Sequence, residues 1–293
     1  MLGVTWYDPS AARSMARSVK NYDAEGILGT DWGFWRTLSP SATTLYALKC
    51  GWKLECAVND DMDIYGLAGE LRDDEVKWST YRCIRLDNGF DETTYDAQRG
   101  DGKGLFDLGP ACDLRNLNGG EAKFAGIPFD LAESKGGRID NCIVVASSSD
   151  RKGGHASSVR LKFQGMRAKA LAFLHTCYVE EPQYRPVRLG AYKIVYPDGT
   201  RERIELMEGW NITDIRSSPG LRHNDWSFAR CPDVLIGSRL AWRGQSLTGL
   251  PLNLQVLIWK NPYPQKKVKQ IIVQANGSDE YTKIALLAVT ALN

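Results

Sequence analysis

The densest set of ligand-gripping side chains lies in one stretch, EGWNITDIRSSPGLRHNDWSF, from Glu208 to Phe228. It holds two tryptophans, Trp210 and Trp226, beside Asn211, Asp214, Arg216, Arg222, His223, Asn224 and Asp225. An indole offers a flat apolar platform, while amides, carboxylates and guanidinium groups offer hydrogen-bonding partners. That combination suits a ligand with an apolar face and a rim of hydroxyls, the surface a pyranose ring presents. The stretch lies between two strand-like segments, and a connection of that length is more often functional than not. Trp210, Asn211, Asp214, Arg222, His223, Asn224 and Trp226 are therefore the leading candidates for ligand contact. A second set, Trp242, Trp259, Asn261 and Tyr263, sits where an alternating strand gives way to an Asn-Pro turn, and reads as architecture.

Other reactive residue types are dispersed. The seven cysteines, at 50, 56, 83, 112, 142, 177 and 231, contain no CxxC pair, so neither a zinc site nor a disulfide framework is indicated, and most read as small buried apolar residues. His175 lies in a strand pattern, ALAFLHTCYV, and reads as a hydrogen-bonded core or edge histidine. Asp113 and Arg115 either form an ion pair or reach a ligand, with the pair preferred.

The elements that must position these residues differ along the chain. DPSAARSMARSVK (Asp8 to Lys20) has a capping Asp, a first-turn Pro and apolar residues at helical spacing. A short strand, ILGTDW, follows, and then a second helical pattern from Ser41 to Trp52. Residues 53–82, with NDDMDIYG and LRDDEVKW, read as a linker. From Cys83 onward, strand-like runs are separated by Gly, Pro, Asn and Asp turns: CIVVAS, SVRLKF, KALAFLHTCYV, RLGAYKIVY, RERIELM, LNLQVLIW, VKQIIVQAN and KIALLAVTAL. The Asp-Gly pair in AYKIVYPDGTRERIELM predicts a hairpin. The whole predicts a mainly β chain: an antiparallel jelly-roll β-sandwich over 83–293, preceded by a short α/β segment over 1–52.

Lys and Arg number 37 against 35 Asp and Glu, a net charge of +2. This balance argues against an electrostatically driven nucleic-acid binder, and the one contiguous basic cluster, Lys266, Lys267 and Lys269, reads as a solvated strand end. No run approaches the ~20 apolar residues of a membrane span. The first residues, MLGVTWYDPS, lack the pattern of a secretion signal.

GDGKGLFDLGPACDLRNL (Gly100 to Leu117) followed by FAGIPFDL (Phe124 to Leu131) resembles the β-sandwich modules appended to bacterial glycoside hydrolases, of the galactose-binding-like and NPCBM-like kinds. LAFLHT, YKIVYPDGT, IELMEGWNITDI, LIWKNPYPQKKVKQI and ALLAVTAL continue the likeness over about two-thirds of the chain. GILGTDWGFW (Gly26 to Trp35) is similar to the last strand of a hexosaminidase-like (β/α)8 barrel, which implies that Asp31 and Trp32 face a sugar; packing between the two parts is the alternative reading. Such a barrel needs ~250 residues, so the segment resembles a barrel remnant, and the paired carboxylates of glycoside hydrolysis would lie upstream. The likeness also implies one structural calcium ion, for which Asp91, Glu92 and Asp101 supply suitable oxygen ligands; no other cofactor is expected.

The expectation is a carbohydrate-binding accessory sandwich of a glycoside hydrolase, non-catalytic in this chain, with an oligo- or polysaccharide and an upstream catalytic domain as partners. A fragment of a working hydrolase and a purely structural domain are the alternatives. An extracellular or periplasmic location follows if the parent protein carries a signal peptide.

Overall fold

In a computed structural model of the chain, the described residues are 2–4, 27–29, 78–147, 154–180, 187–208, 211–216, 238–276 and 282–293. Two compact units, Met1–Val76 and Lys77–Asn293, divide the chain. In the first, β1 (Leu2–Val4) and β2 (Ile27–Gly29) pair in parallel. The helices predicted over 8–20 and 41–52 lie outside the described residues, as does the linker predicted over 53–82 up to residue 77; its end runs into a strand at Tyr81.

The second unit is mainly β, with antiparallel pairing between its strands and no helix among the described residues. Its strands are β3 (Tyr81–Ile84), β4 (Gly120–Phe124), β5 (Ile127–Leu131), β6 (Ile143–Ala146), β7 (Ser158–Met166), β8 (Ala170–Val179), β9 (Val187–Val195), β10 (Arg201–Glu208), β11 (Arg239–Gln245), β12 (Pro251–Lys260), β13 (Val268–Ala275) and β14 (Thr282–Leu292). All eight runs picked out from the sequence are strands. One sheet has the order β10-β9-β13-β7; the other runs β11-β12-β8-β14-β3, with β6 also pairing to β14.

The central strands dictate the layering. β8 and β14 are apolar at both odd and even positions, so each must be covered on both faces, and every residue of both is buried. On one face Leu171, Phe173, Cys177 and Val179 meet the four-stranded sheet through Leu189, Tyr192, Ile194, Leu206 and Ile271. Phe173 stacks on Tyr192 with ring centroids 4.3 Å apart. On the opposite face Ala172, Leu174 and Ala285 pack against Leu105, Phe106, Leu114 and Phe129, which belong to a cover formed by the chain between β3 and β6. The six-stranded sheet is therefore a middle layer, with the small hairpin β4-β5 in its cover.

Two turns fix the hairpins. At Asp198-Gly199 the predicted turn joins β9 to β10, with Gly199 at φ +86°, where a side chain would be strained. Between β4 and β5 both turn residues, Ala125 (φ +48°) and Gly126 (φ +79°), are left-handed, the signature of a type I′ turn.

Because both faces of β8 are core, adjacent substitutions pointing opposite ways should both be costly. Phe173→Ala is expected to lose about 3–5 kcal/mol and Leu174→Ala about 2–5 kcal/mol, measured by urea denaturation. A near-neutral Leu174→Ala would show that the cover layer is not core.

Candidate functional site

Of the leading candidates, Asn211 and Asp214 are described, whereas Trp210, Arg222, His223, Asn224 and Trp226 lie outside the described residues, as do Asp31 and Trp32. Asn211 is buried and locks the end of β10: its Oδ1 accepts from Met207 N (2.9 Å) and its Nδ2 donates to Glu205 O (2.8 Å). Its carbonyl lies 3.1 Å from His175 Nε2. A carbonyl only accepts, so Nε2 carries the proton, and Nδ1 accepts from the Tyr192 hydroxyl at 2.9 Å. His175 thus sits wholly buried in the second unit as a neutral ring, its pKa driven down to about 3 by burial.

Asp214 is equally committed. Its Oδ2 accepts from Val179 N (3.0 Å) and its two oxygens hold the Arg216 guanidinium at 2.9 Å, while Arg216 also donates to Val179 O. The guanidinium lies over the Tyr178 ring, 4.7 Å from its centroid. The same device occurs at Asp113 and Arg115. Asp113 accepts from Asp96 N, Arg115 donates to Asp113 and to Asp96 O, and its guanidinium lies 4.3 Å from the centroid of Tyr95. Each Asp-x-Arg strut sets a buried Leu114 or Ile215 between its charged ends. The ion pair foreseen at Asp113 is therefore real, and it has a twin. Asn211 and Asp214 are buried, and their side chains hold backbone and the Arg216 guanidinium.

In the second set Asn261 is buried, and Trp242, Trp259 and Tyr263 are half-buried against the core. Asn261 accepts from the Tyr196 hydroxyl at 2.5 Å and donates to Ala168 O at 2.8 Å, while Tyr196 and Tyr263 meet edge to face. Lys266 bonds Asp198 and lies 4.5 Å from the centroid of Tyr263, which ties the Asp-Gly turn to the Asn-Pro turn.

The three calcium candidates do separate jobs. Asp91 accepts from Val144 N (2.8 Å), Glu92 accepts from Gly104 N (2.8 Å) and faces His155 Nδ1 (3.3 Å), and exposed Asp101 caps its own turn at Lys103 N. Among the described residues no group of three or more His, Cys, Asp or Glu converges as metal ligands. Desolvation raises the carboxyl of buried Asp96 to about 6, that of half-buried Glu92 to about 7 and that of Asp91, a residue exposed overall, to about 6. Such shifts are common at active sites, but here the carboxylates pin backbone amides of the cover layer. The described cysteines 83, 112, 142 and 177 are unpaired, and burial pushes the Cys112 thiol up to about 12.

The open polar surface is elsewhere, on the outer face of the four-stranded sheet. Its inner positions fill the core, so the alternate positions face outward. The cross-strand register aligns them in rows: Lys162, Gln270, Val195 and Arg201; then Arg160, Ile272, Lys193 and Arg203; then Ser158, Gln274, Ala191 and Glu205. Arg160, Lys162, Arg201 and Arg203 are exposed, Lys193, Gln270, Gln274 and Glu205 are half-buried, and Ala191 in the third row is buried. Glu205 is the one carboxylate in these rows. It binds Arg203 and, at 3.1 Å, Arg188, which with Lys193 hold its pKa below the ordinary value. The sequence signal was there in R-x-R at 201–203 and R-x-K at 160–162, but it emerges only once register brings four separated strands together.

The desolvated carboxyls and His175 pull stability in opposite directions with pH. The carboxyls have raised folded pKa values, so their contribution is in place below the ordinary carboxylate range and is lost as pH rises through about 6 to 7. His175, depressed in the fold, contributes above its ordinary value of 6.5 and loses that contribution as pH falls towards 3. Glu92→Gln is therefore expected to shrink the drop in Tm between about pH 5 and about pH 7, read by thermal unfolding across pH. An unchanged drop would show that Glu92 ionises freely in the folded protein.

No family model matches the sequence, and no curated protein matches it. Among solved structures, one from the structural and functional characterization of Pseudomonas aeruginosa AlgX aligns with 47% of this chain at 13% identity and a TM-score of 0.20, a likeness too slight to bear on fold or function. This chain spans 27% of that protein's length.

Proposed function

We propose that the chain is a non-catalytic glycan-binding accessory module built on a jelly-roll-type sandwich, of the kind that accompanies glycoside hydrolases, and that the ligand lies on the outer face of the four-stranded sheet. One observation carries this reading: that face is the broad, solvent-facing surface where hydrogen-bonding side chains stand in register. The polar groups of the other described candidates are turned inward or tie backbone together. A flat sheet suits an extended polymer laid across it better than a small molecule, which needs a concave pocket. Gln270 and Gln274 offer both donors and acceptors to hydroxyls, and the half-buried Ile272 and Val195 offer apolar surface to the C–H face of a sugar.

Affinity electrophoresis of the full chain through gels containing a panel of polysaccharides tests this. Retardation by at least one polysaccharide is expected, weakened in the double variant Gln270→Ala, Gln274→Ala. No retardation by any polysaccharide would overturn the assignment. Loss through Trp210→Ala or Trp226→Ala, with the glutamine variant unaffected, would move the site to the connection between β10 and β11.

A further inference from the structure

We infer that the glycan taken by this face is anionic, a polysaccharide bearing carboxylate groups; the inference rests on the glycan-binding assignment above. The outward rows bring together Arg160, Lys162, Lys193, Arg201 and Arg203 against the single carboxylate of Glu205. Among the described residues no ion pair answers Arg160, Lys162, Lys193 or Arg201, whereas Glu205 is taken up by Arg203 and Arg188. Lys193 and Arg203 stand directly opposite each other on β9 and β10. Like charges so placed destabilise a sheet, and an anionic chain lying across them would relieve that repulsion. The row from Arg160 to Arg203 crosses three strand spacings, about 14 Å, which gives a polymer several charged contacts along its length.

The same face disfavours nucleic acid. None of its outward positions is aromatic, so it has no platform for stacking bases. A flat four-stranded surface does not enter a groove, and a net charge of +2 provides no basic excess beyond the patch. Its neutral members, Gln270, Gln274 and Ser158, instead match hydroxyls between the charged groups of a sugar polymer.

The test runs the full chain, Lys193→Gln and Arg160→Gln through gels containing polygalacturonate, neutral dextran or duplex DNA, with Tm measured for each protein. Polygalacturonate is expected to retard the chain, less so as salt rises. Each variant should weaken retention roughly two- to fivefold, the scale of one exposed charge pair. Lys193→Gln should leave Tm unchanged or higher, since a repulsion is removed, whereas a merely structural lysine would lower it. Arg160→Gln, on another strand, keeps the test open if Lys193→Gln does not fold. Equal retention by dextran with both variants indifferent would overturn the anionic inference and leave the glycan assignment standing. Equal retention by duplex DNA would overturn it in favour of charge alone, and no retention by polygalacturonate or dextran would overturn both readings.

Discussion

Everything in the second unit depends on two central strands that have no solvent face. β8 and β14 are buried along their whole lengths, so any polar side chain they carry must find its partner inside the protein. Those partners are what fasten the layers together. Thr290 donates to Pro128 O at 2.6 Å, Lys283 to Phe106 O at 3.1 Å and Thr176 to Thr213 O at 3.4 Å, so three polar residues of the middle sheet anchor three parts of the surrounding chain. His175 points the other way and binds Tyr192 of the four-stranded sheet. The twin struts at Asp113-Arg115 and Asp214-Arg216 complete the attachment, each joining a loop carboxylate to a distant backbone amide and an aromatic ring.

This constraint also divides the polar residues by task. Groups that look reactive in isolation, such as Asp91, Glu92, Asn211 and Asp214, hold backbone and pair internally. Of the cations of the four-stranded sheet, Arg203 and Arg188 hold Glu205, whereas Arg160, Lys162, Lys193 and Arg201 form no ion pair among the described residues and lie on one face. A sheet that keeps Lys193 opposite Arg203 accepts a local repulsion that Glu205 offsets only in part, and stability given up at a surface is characteristic of a place where something binds.

Much of the fold was legible in the sequence. The eight apolar runs are strands because their β-branched and aromatic content and flanking turn residues left little choice, and the Asp-Gly pair marks its hairpin as expected. The β4-β5 hairpin was not legible, because its turn uses Ala125, a residue that rarely adopts positive φ, in place of Asn or Asp. β11 was missed because its residues are only partly buried and show no clean alternation. For the site, residue type alone does not reveal burial: Asn211 and Asp214 carry hydrogen-bonding side chains, and buried donors and acceptors elsewhere in the chain engage them. The basic rows were illegible because β7, β9 and β10 contribute only one or two cations each at alternate positions and β13 none, and a near-neutral total conceals a patch that exists only after the strands are in register.

The central claim, that an anionic glycan meets the outer face of the four-stranded sheet, is tested most directly by lysine labelling. The full chain is treated with an acetylating reagent with and without polygalacturonate, and modification is read residue by residue by mass spectrometry. The account predicts protection of Lys162 and Lys193, with Lys103, Lys123 and Lys135, exposed on the segment between β3 and β6, labelled as before. Protection of those three in place of Lys162 and Lys193, or no protection at any lysine, would contradict it.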